Sequence, residues 1–168
     1  GAGGTIAWRH AHPTCDTGAV VRWVSAPDGT RVAYESIGTG QALLLTNGLT
    51  TSTLFWKYLA PLWAERYHVI TWDLPGHGRS QRPNTLASVE MTAQPEIMTR
   101  ILDAEGVASA SQIGFSIGCQ IVLEMVRQQP ARCQAVGLLL GTAGRVFDTL
   151  ELPVGRLFPK LLLKMPPG

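Results

Sequence analysis

The residues of this sequence with the clearest chemical potential are a serine and its neighbours. The run Gly114-Phe115-Ser116-Ile117-Gly118 fits the pattern G-x-S-x-G and lies between a short apolar run and a helical pattern. A sharp turn at such a junction can strain the serine backbone and expose its hydroxyl, while Gly114 and Gly118 leave room for neighbouring elements. The following helix would present unpaired N–H groups to a negatively charged oxygen, beginning with that of Ile117. The pattern predicts that Ser116 is a nucleophile, and the alternative is a tight turn holding an ordinary serine.

A second motif supports the first interpretation. The stretch Asp73-Leu74-Pro75-Gly76-His77-Gly78-Arg79-Ser80 follows an apolar run, and its Pro and Gly residues predict a turn. In order and separation, this turn and the serine motif resemble the D-x-P-G-H-G-x-S turn and the nucleophile elbow of the α/β-hydrolase family. The resemblance covers residues 20–144 and implies that Asp73, Gly76, His77 and Gly78 shape the turn.

The resemblance also implies an oxyanion site. The loop that supplies one of its donors in this family corresponds to Asn47-Gly48-Leu49, with Asn47 where relatives carry His. We therefore expect the N–H groups of Leu49 and Ile117 to be the two oxyanion donors, with Gly48 allowing close backbone approach. Cys119 stands where many relatives have a second glycine, and we interpret it as a small buried residue.

The general base that a serine nucleophile needs is missing from this pattern. The family order is serine, then an acid, then histidine, yet all four histidines of this chain precede Ser116. The resemblance makes His77 a turn residue and leaves Asp148 and Glu151 as weak candidates for the acid. The sequence thus resembles the N-terminal portion of a family member, without its final strands, its acid and its histidine.

The elements that must position these residues alternate between strand and helix patterns. Two runs, 20–24 and 31–36, flank Pro27-Asp28-Gly29 and predict an antiparallel hairpin. Four further apolar runs predict strands, at 41–46, 68–72, 111–115 and 133–140. Helical spacing predicts helices at 53–66, 92–105 and 117–129, the first with a cap from residues 50–53 and an apolar face of Leu54, Tyr58, Leu59, Leu62 and Trp63. Strands separated by helical crossovers predict an α/β fold, with a mostly parallel sheet covered on both faces.

Composition narrows the class of protein. Of the 168 residues, 45% are apolar and 15% charged, which excludes a disordered chain. The net charge of +2 without a basic cluster argues against nucleic acid as a partner. Three cysteines without a close pair, together with no apolar run long enough to span a membrane, predict a cytoplasmic protein. We expect no metal and no organic cofactor.

These observations predict three segments: a disordered arm at 1–19, a partial α/β-hydrolase core at 20–144 and the start of a helical cap at 145–168. The expected activity is hydrolysis of an ester, thioester or lactone with a small hydrophobic acyl group, through an acyl-enzyme on Ser116. Relatives that open epoxides or dehalogenate carry Asp at the elbow, so Ser116 argues against those reactions. The alternatives are an acyltransferase or perhydrolase, or a non-catalytic ligand-binding module. We expect little turnover from these 168 residues alone, and self-association through an exposed edge strand.

Overall fold

The computed structural model describes residues 20–141 of the chain. These residues form a mostly parallel sheet with helices on both faces. Its strands are β1 (Val21–Ser25), β2 (Arg31–Ile37), β3 (Gln41–Thr46), β4 (Tyr67–Trp72), β5 (Ala110–Phe115) and β6 (Cys133–Leu139). The α-helices are α1 (Leu59–Ala64), α2 (Gln94–Ala104) and α3 (Gly118–Gln128). Short 3₁₀ turns lie at Thr53–Trp56, Leu86–Val89, Met91–Ala93 and Pro130–Arg132. The α/β prediction is confirmed, including the antiparallel hairpin β1–β2.

The strand order, β1-β2-β4-β3-β5-β6, brings the two halves of the candidate site together. Strand β3 lies between β4 and β5 and is parallel to both. The chain therefore leaves β3 in one direction through α1, and later passes to its other side through α2. Such a reversal of direction opens a crevice at the carboxyl ends of the strands, where α/β proteins commonly bind ligands.

Alternation along the central strands builds one core on each face of the sheet. On β3, Leu44 points into a core shared with α2 and α3, whereas Leu43 and Leu45 point into a second core shared with α1. Both faces are apolar because a parallel sheet with helices on each side is buried on each side. Ile101 of α2 and Met125 of α3 are fully buried in the first core.

The predicted helix at 53–66 is wrong, because the segment is interrupted. The structure has a 3₁₀ turn at Thr53–Trp56 and then α1 at Leu59–Ala64, instead of one continuous helix. Pro61 explains the interruption, because it has no N–H to donate to the Lys57 carbonyl and its ring crowds that group.

The interruption also changes which side chains of this segment are buried. Trp56 and Ala60 are buried, whereas four residues of the predicted apolar face are exposed: Leu54, Tyr58, Leu59 and Leu62. A change of helix type between 56 and 59 alters the angular phase, so a single 3.6-residue period does not describe the segment.

The predicted cap of this segment is wrong as well. Ser52 occupies the cap position without a side-chain hydrogen bond to the turn. Instead, the Thr53 N–H donates to Asp73 Oδ1 at 2.7 Å, so the cap comes from the loop after β4. A charged acceptor at a helical N-terminus makes a stronger bond than a hydroxyl would.

The remaining boundaries agree closely with the periodicity. Helix α2 begins at Gln94 rather than 92 and carries Pro95 in its first turn, where a missing N–H is tolerated. It ends at Ala104, and Gly106 follows with a φ of 67°. Strand β6 is the outer parallel strand of the described sheet, and Val136, Leu138, Leu139 and Leu140 are exposed there. Self-association through this edge stays a prediction.

The predicted arm at 1–19 and the predicted cap at 145–168 lie outside the described residues, so the domain boundaries stay predictions. Within 20–141, no helix has the length and apolar character needed to cross a membrane.

Candidate active site

Ser116 lies at a strained turn between β5 and α3. Its φ is 54°, in the left-handed region that residues other than glycine rarely occupy. The Ser116 N–H donates to the Leu139 carbonyl of β6 at 2.9 Å, and the Ser116 carbonyl accepts from the Cys119 N–H at 3.0 Å. These bonds hold the turn on both sides, which allows an unfavourable backbone conformation to persist.

The two glycines of the motif lie where neighbouring backbone leaves no room for a side chain. A Cβ on Gly114 would lie 2.6 Å from the Cys119 nitrogen, and one on Gly118 would lie 2.6 Å from the Asn47 carbonyl oxygen. Gly118 therefore lets α3 begin directly against the end of β3. The turn can be this tight only because both side chains are absent.

The loop after β3 runs beside the serine. Strand β3 is in register with β5, Thr46 opposite Gly114, so the next residues of each strand lie side by side. A Cβ on Gly48 would lie 2.9 Å from Phe115 Cδ1 and 3.2 Å from Ser116 Cβ. The structure thus brings Gly48, and the Leu49 nitrogen bonded to its carbonyl carbon, to Ser116.

Asn47 anchors this loop through two hydrogen bonds of its side chain. Its side chain is fully buried, and its Nδ2 donates to the Trp72 carbonyl at 2.8 Å. Its Oδ1 accepts a hydrogen bond from the buried indole Nε1 of Trp56. Both polar ends of the amide are used, as burial requires, so Asn47 holds the loop and does not face a substrate.

Two backbone donors near Ser116 have no acceptor in the described part of the chain, the N–H groups of Leu49 and Ile117. Ile117 is the N-cap residue of α3, whose eleven residues place the positive end of their dipole at this point. The N–H groups that the sequence pattern singles out are therefore free to bind an anionic oxygen.

Backbone strain is concentrated at this edge of the sheet. Within residues 20–141, three residues other than glycine have a positive φ: Thr50 at 65°, Ser116 at 54° and Leu140 at 50°. They follow β3, β5 and β6, which are adjacent and parallel. Strained residues that persist in a fold cluster at functional sites, so this edge is the candidate site.

The turn after β4 forms a rigid neighbour of the site. Asp73 is buried, and its Oδ2 accepts the Arg79 N–H at 3.0 Å while its Oδ1 accepts that of Thr53. Gly78 has a φ of 51°, and a Cβ there would lie 2.6 Å from Asp73 Oδ1. Gly76 has a φ of 78°. The turn places one carboxylate against two backbone donors.

His77 is part of the same turn. Its Nδ1 donates to the Pro75 carbonyl at 3.1 Å, and its Nε2 is enclosed without a partner among the described residues. His68 contacts Glu105 through Nε2 at 3.0 Å. It lies near the amino end of β4, whereas Ser116 follows the carboxyl end of β5. Neither ring forms a hydrogen bond to Ser116, and Asp148 and Glu151 lie outside the described residues.

Cys119 is a buried structural residue. Its Sγ donates to the Gly114 carbonyl at 3.1 Å and lies 3.4 Å from the Leu139 carbonyl oxygen. Burial raises the pKa of the thiol, which keeps it protonated and unreactive at neutral pH. Among the described cysteines, Cys119 and Cys133 are free.

Two residues that sequence reasoning missed also contact the site. Phe55 stacks on Phe115 with ring centroids 4.1 Å apart, and Phe115 packs against Gly48. The Thr51 hydroxyl donates to the Gly48 carbonyl at 2.9 Å. The only sequence signal was proximity to the Asn47-Gly48-Leu49 loop, since both contacts depend on how that loop folds back.

No group of three or more His, Cys, Asp or Glu side chains in the 20–141 region is arranged to hold a metal ion. The prediction of a cytoplasmic location stays a prediction.

Comparison with known proteins agrees with this geometry. The chain is 34% identical over 110 residues to a putative carbamate hydrolase, RutD, of Azorhizobium caulinodans, an alignment that covers 66% of this chain and 41% of that protein. A solved N-acyl homoserine lactone degrading enzyme, Est816, superposes with a TM-score of 0.74 and 27% identity, over 82% of this chain and 51% of its own. An epoxide hydrolase from an endophytic Streptomyces superposes with a TM-score of 0.68 and 31% identity, over 73% of this chain and 37% of its own.

The chain thus spans less than half the length of this curated relative. The sequence profile of the alpha/beta hydrolase fold matches residues 41–166, most of the chain and all of the candidate site. This chain belongs to the α/β-hydrolase fold family.

Proposed function

We propose that this chain carries the nucleophile and the oxyanion site of a serine hydrolase that cleaves an ester, thioester or lactone. The observation that carries the proposal is the position of Ser116. It lies at a φ of 54° between β5 and α3, beside two N–H groups that have no acceptor among residues 20–141. Preorganised donors next to a nucleophile are what acyl transfer requires, because the charge of the transition state develops on the carbonyl oxygen.

The proposed reaction has two steps. The Ser116 oxygen bonds to the carbonyl carbon of the substrate and its proton passes to a general base, while Leu49 and Ile117 donate to the resulting oxyanion. The bond to the leaving oxygen or sulfur then breaks, and the leaving group takes that proton. Water attacks the acyl-serine in the same way and releases the carboxylic acid.

The identity of the nucleophile supports carbonyl chemistry over epoxide opening. Relatives named as epoxide hydrolases are similar to this chain, yet the family associates that reaction with Asp at the elbow, where this chain has Ser116. Two other relatives are named for a carbamate and a lactone, both of which are attacked at a carbonyl carbon.

The aromatic pair beside the elbow supports a small hydrophobic acyl group. Phe55 is 40% exposed and stacks on Phe115, which directly precedes Ser116. An apolar surface next to the nucleophile stabilises an apolar substituent of the carbonyl by removing it from water.

We propose that the general base and its orienting acid lie outside the described residues 20–141. No histidine follows Ser116, and His77 is held by the Pro75 carbonyl within its own turn. The 168 residues alone are therefore expected to turn over little substrate.

The test compares the wild type with Ser116→Ala, in this chain and in the longest open reading frame that contains it, using a short-chain aryl ester. In the longer protein we expect Ser116→Ala to reduce kcat by at least about 10⁴-fold and to abolish the acyl adduct seen by mass spectrometry. Ser111→Ala on the same strand is the matched control and should retain activity, because the Ser111 hydroxyl accepts a hydrogen bond from the Gln41 side chain at the start of β3, away from the candidate site.

Activity within tenfold of wild type in Ser116→Ala would overturn the proposal. Ordinary turnover by the 168 residues, lost in Ser116→Ala, would instead place the base within this chain. A faster reaction with an added alcohol or peroxide than with water would indicate an acyltransferase or perhydrolase.

A further inference from the structure

The Gly48–Leu49 peptide carries one of the two proposed oxyanion donors, and a single side chain fixes its orientation. The Gly48 carbonyl accepts two hydrogen bonds from Thr51, one from the hydroxyl at 2.9 Å and one from the N–H at 3.4 Å. The longer bond is weak, so the hydroxyl supplies most of the restraint.

The backbone of residues 48–51 is that of a strained turn. Its closing bond runs from the Thr51 N–H to the Gly48 carbonyl, and Thr50 has a φ of 65° whereas Leu49 does not have a positive φ. This is the pattern of a type II turn, whose third position favours glycine. A β-branched residue there disfavours the turn, so the turn depends on other contacts to persist.

Peptide geometry links the Thr51 hydroxyl to the Leu49 donor. The peptide bonds of the described residues are all trans, so the carbonyl and the N–H of the Gly48–Leu49 unit point in opposite directions. When the carbonyl is held toward Thr51, the Leu49 N–H must face away from it. A Cβ on Gly48 would lie 3.2 Å from Ser116 Cβ, so this side of the peptide faces Ser116 and the space into which that N–H can point is limited.

We propose that Thr51 is a positioning residue, whose hydroxyl holds the Leu49 N–H in the orientation that binds an oxyanion on Ser116. This inference rests on the proposed function. Asn47 restrains the position of the loop through its hydrogen bonds, and Phe115 does so by packing against Gly48, but neither bonds to the Gly48 carbonyl. Rotation of the peptide plane is therefore opposed chiefly by Thr51.

The test needs a probe that does not depend on a general base. Phenylboronic acid meets this need at equilibrium: a lone pair of the Ser116 oxygen bonds to boron, the hydroxyl proton passes to the buffer, and a tetrahedral boronate anion results. The negative charge of the adduct requires the same donors as the oxyanion. Its dissociation constant, followed by ¹¹B NMR, therefore reports on their orientation.

We expect Thr51→Val to weaken the boronate about tenfold, a part of the 10²–10³-fold effect of losing a whole donor. The ¹⁵N order parameter of the Leu49 amide should also fall, because the peptide plane gains freedom. Thr51→Ser should restore both values, since it keeps the hydroxyl. Thr99→Val is the matched control, because the Thr99 hydroxyl makes a bond of the same 2.9 Å length to the Pro95 carbonyl in α2.

The outcomes separate this inference from the proposed function. If Ser116→Ala abolishes the adduct while Thr51→Val leaves both the adduct and the Leu49 amide unchanged, the positioning role is wrong and the proposed function stands. If the wild type forms no adduct, or if Ser116→Ala keeps it, the proposed function itself fails. Should Thr51→Val not fold, Thr51→Ala measured against Thr51→Ser gives the same comparison.

Discussion

The carboxylate of Asp73, which follows β4, accepts the backbone N–H of Thr53, which follows β3, at 2.7 Å. The same carboxylate accepts the Arg79 N–H of its own turn at 3.0 Å. One buried side chain thereby joins two loops that enter the candidate site from different strands. The loop that carries Leu49 is consequently fixed at both ends, by Asn47 at its start and by Asp73 just beyond it.

Replacing Asp73 with Asn should lower the free energy of unfolding by about 1–3 kcal/mol. The amide has only one acceptor oxygen, so its NH₂ group must face one of the two backbone donors. Urea unfolding measures the effect. Asp103→Asn is the matched control: that side chain is 61% exposed in its ion pair with Arg132, so the change should cost within about 0.5 kcal/mol. Equal effects of the two substitutions would show that the Asp73 bonds contribute nothing beyond a surface charge.

Gln112 of β5 is fully buried, yet neither its Oε1 nor its Nε2 has a partner among the described residues. Gln112→Met keeps the length of the side chain and removes the unpaired amide, so it should raise the free energy of unfolding by about 1 kcal/mol. Gln94→Met provides the contrast, because the Gln94 Nε2 donates to the Ser88 and Glu90 carbonyls at 2.8 and 2.9 Å. Thermal or urea unfolding should give opposite signs, and a loss in both variants would contradict the prediction.

Glu105 should make stability depend on pH in the acid range. Burial raises the pKa of its carboxyl group, but hydrogen bonds from Ser36, Arg22 and Tyr34 outweigh that effect and lower it below the ordinary 4.5. The unfolded chain therefore binds this proton more readily than the folded one. The stabilisation by Glu105 is complete at pH values above the ordinary pKa of 4.5. It is lost as the pH falls through the lowered pKa of the folded state.

The slope of unfolding free energy against pH, measured as the pH falls below the ordinary 4.5, should accordingly flatten in Glu105→Gln. The control for the loss of one negative charge is Glu96→Gln, whose side chain is 55% exposed. A slope in Glu105→Gln that equals that of wild type would refute the assignment.

Replacing the leucines at two predicted core positions should change the free energy of unfolding by very different amounts. Leu44 of β3 is fully buried, so Leu44→Ala should cost about 2–5 kcal/mol. Leu62 of α1 is 58% exposed, so the same substitution should stay within about 0.5 kcal/mol. Urea unfolding of the two variants checks whether α1 has the phase described above. A comparable loss in Leu62→Ala would mean that the buried face of α1 includes Leu62.

The sequence predicts the sheet and the elbow well because their signals are local. Buried parallel strands are short apolar runs, and β3 and β5 lie where such runs occur. The position of Ser116 between strand and helix follows from two adjacent patterns. Glycine at 114 and 118 follows from the same junction, where contact distances leave no alternative.

The segment after β3 was predicted poorly because its conformation is decided by residues distant in sequence. The apolar spacing predicts one continuous helix there, although Pro61 lacks the N–H that an interior helical bond needs. The cap of Thr53 comes from Asp73 across a strand crossover, and no local pattern contains such a bond. The role inferred for Thr51 depends on a turn with a positive φ at Thr50, which its residue type argues against.

The pairing of β3 with β5 sets Leu43 opposite Ser111. It also determines at which stage of folding the candidate site forms. This contact closes a loop that contains α1, β4 and α2, and the entropy of closing so long a loop delays it relative to local structure. The hairpin β1–β2 and the individual helices can form first. A chain emerging from the ribosome therefore holds Leu49 long before it holds Ser116, and the two meet only when the central strands align. Any chemistry at this edge of the sheet is consequently withheld until assembly of the parallel sheet is nearly complete.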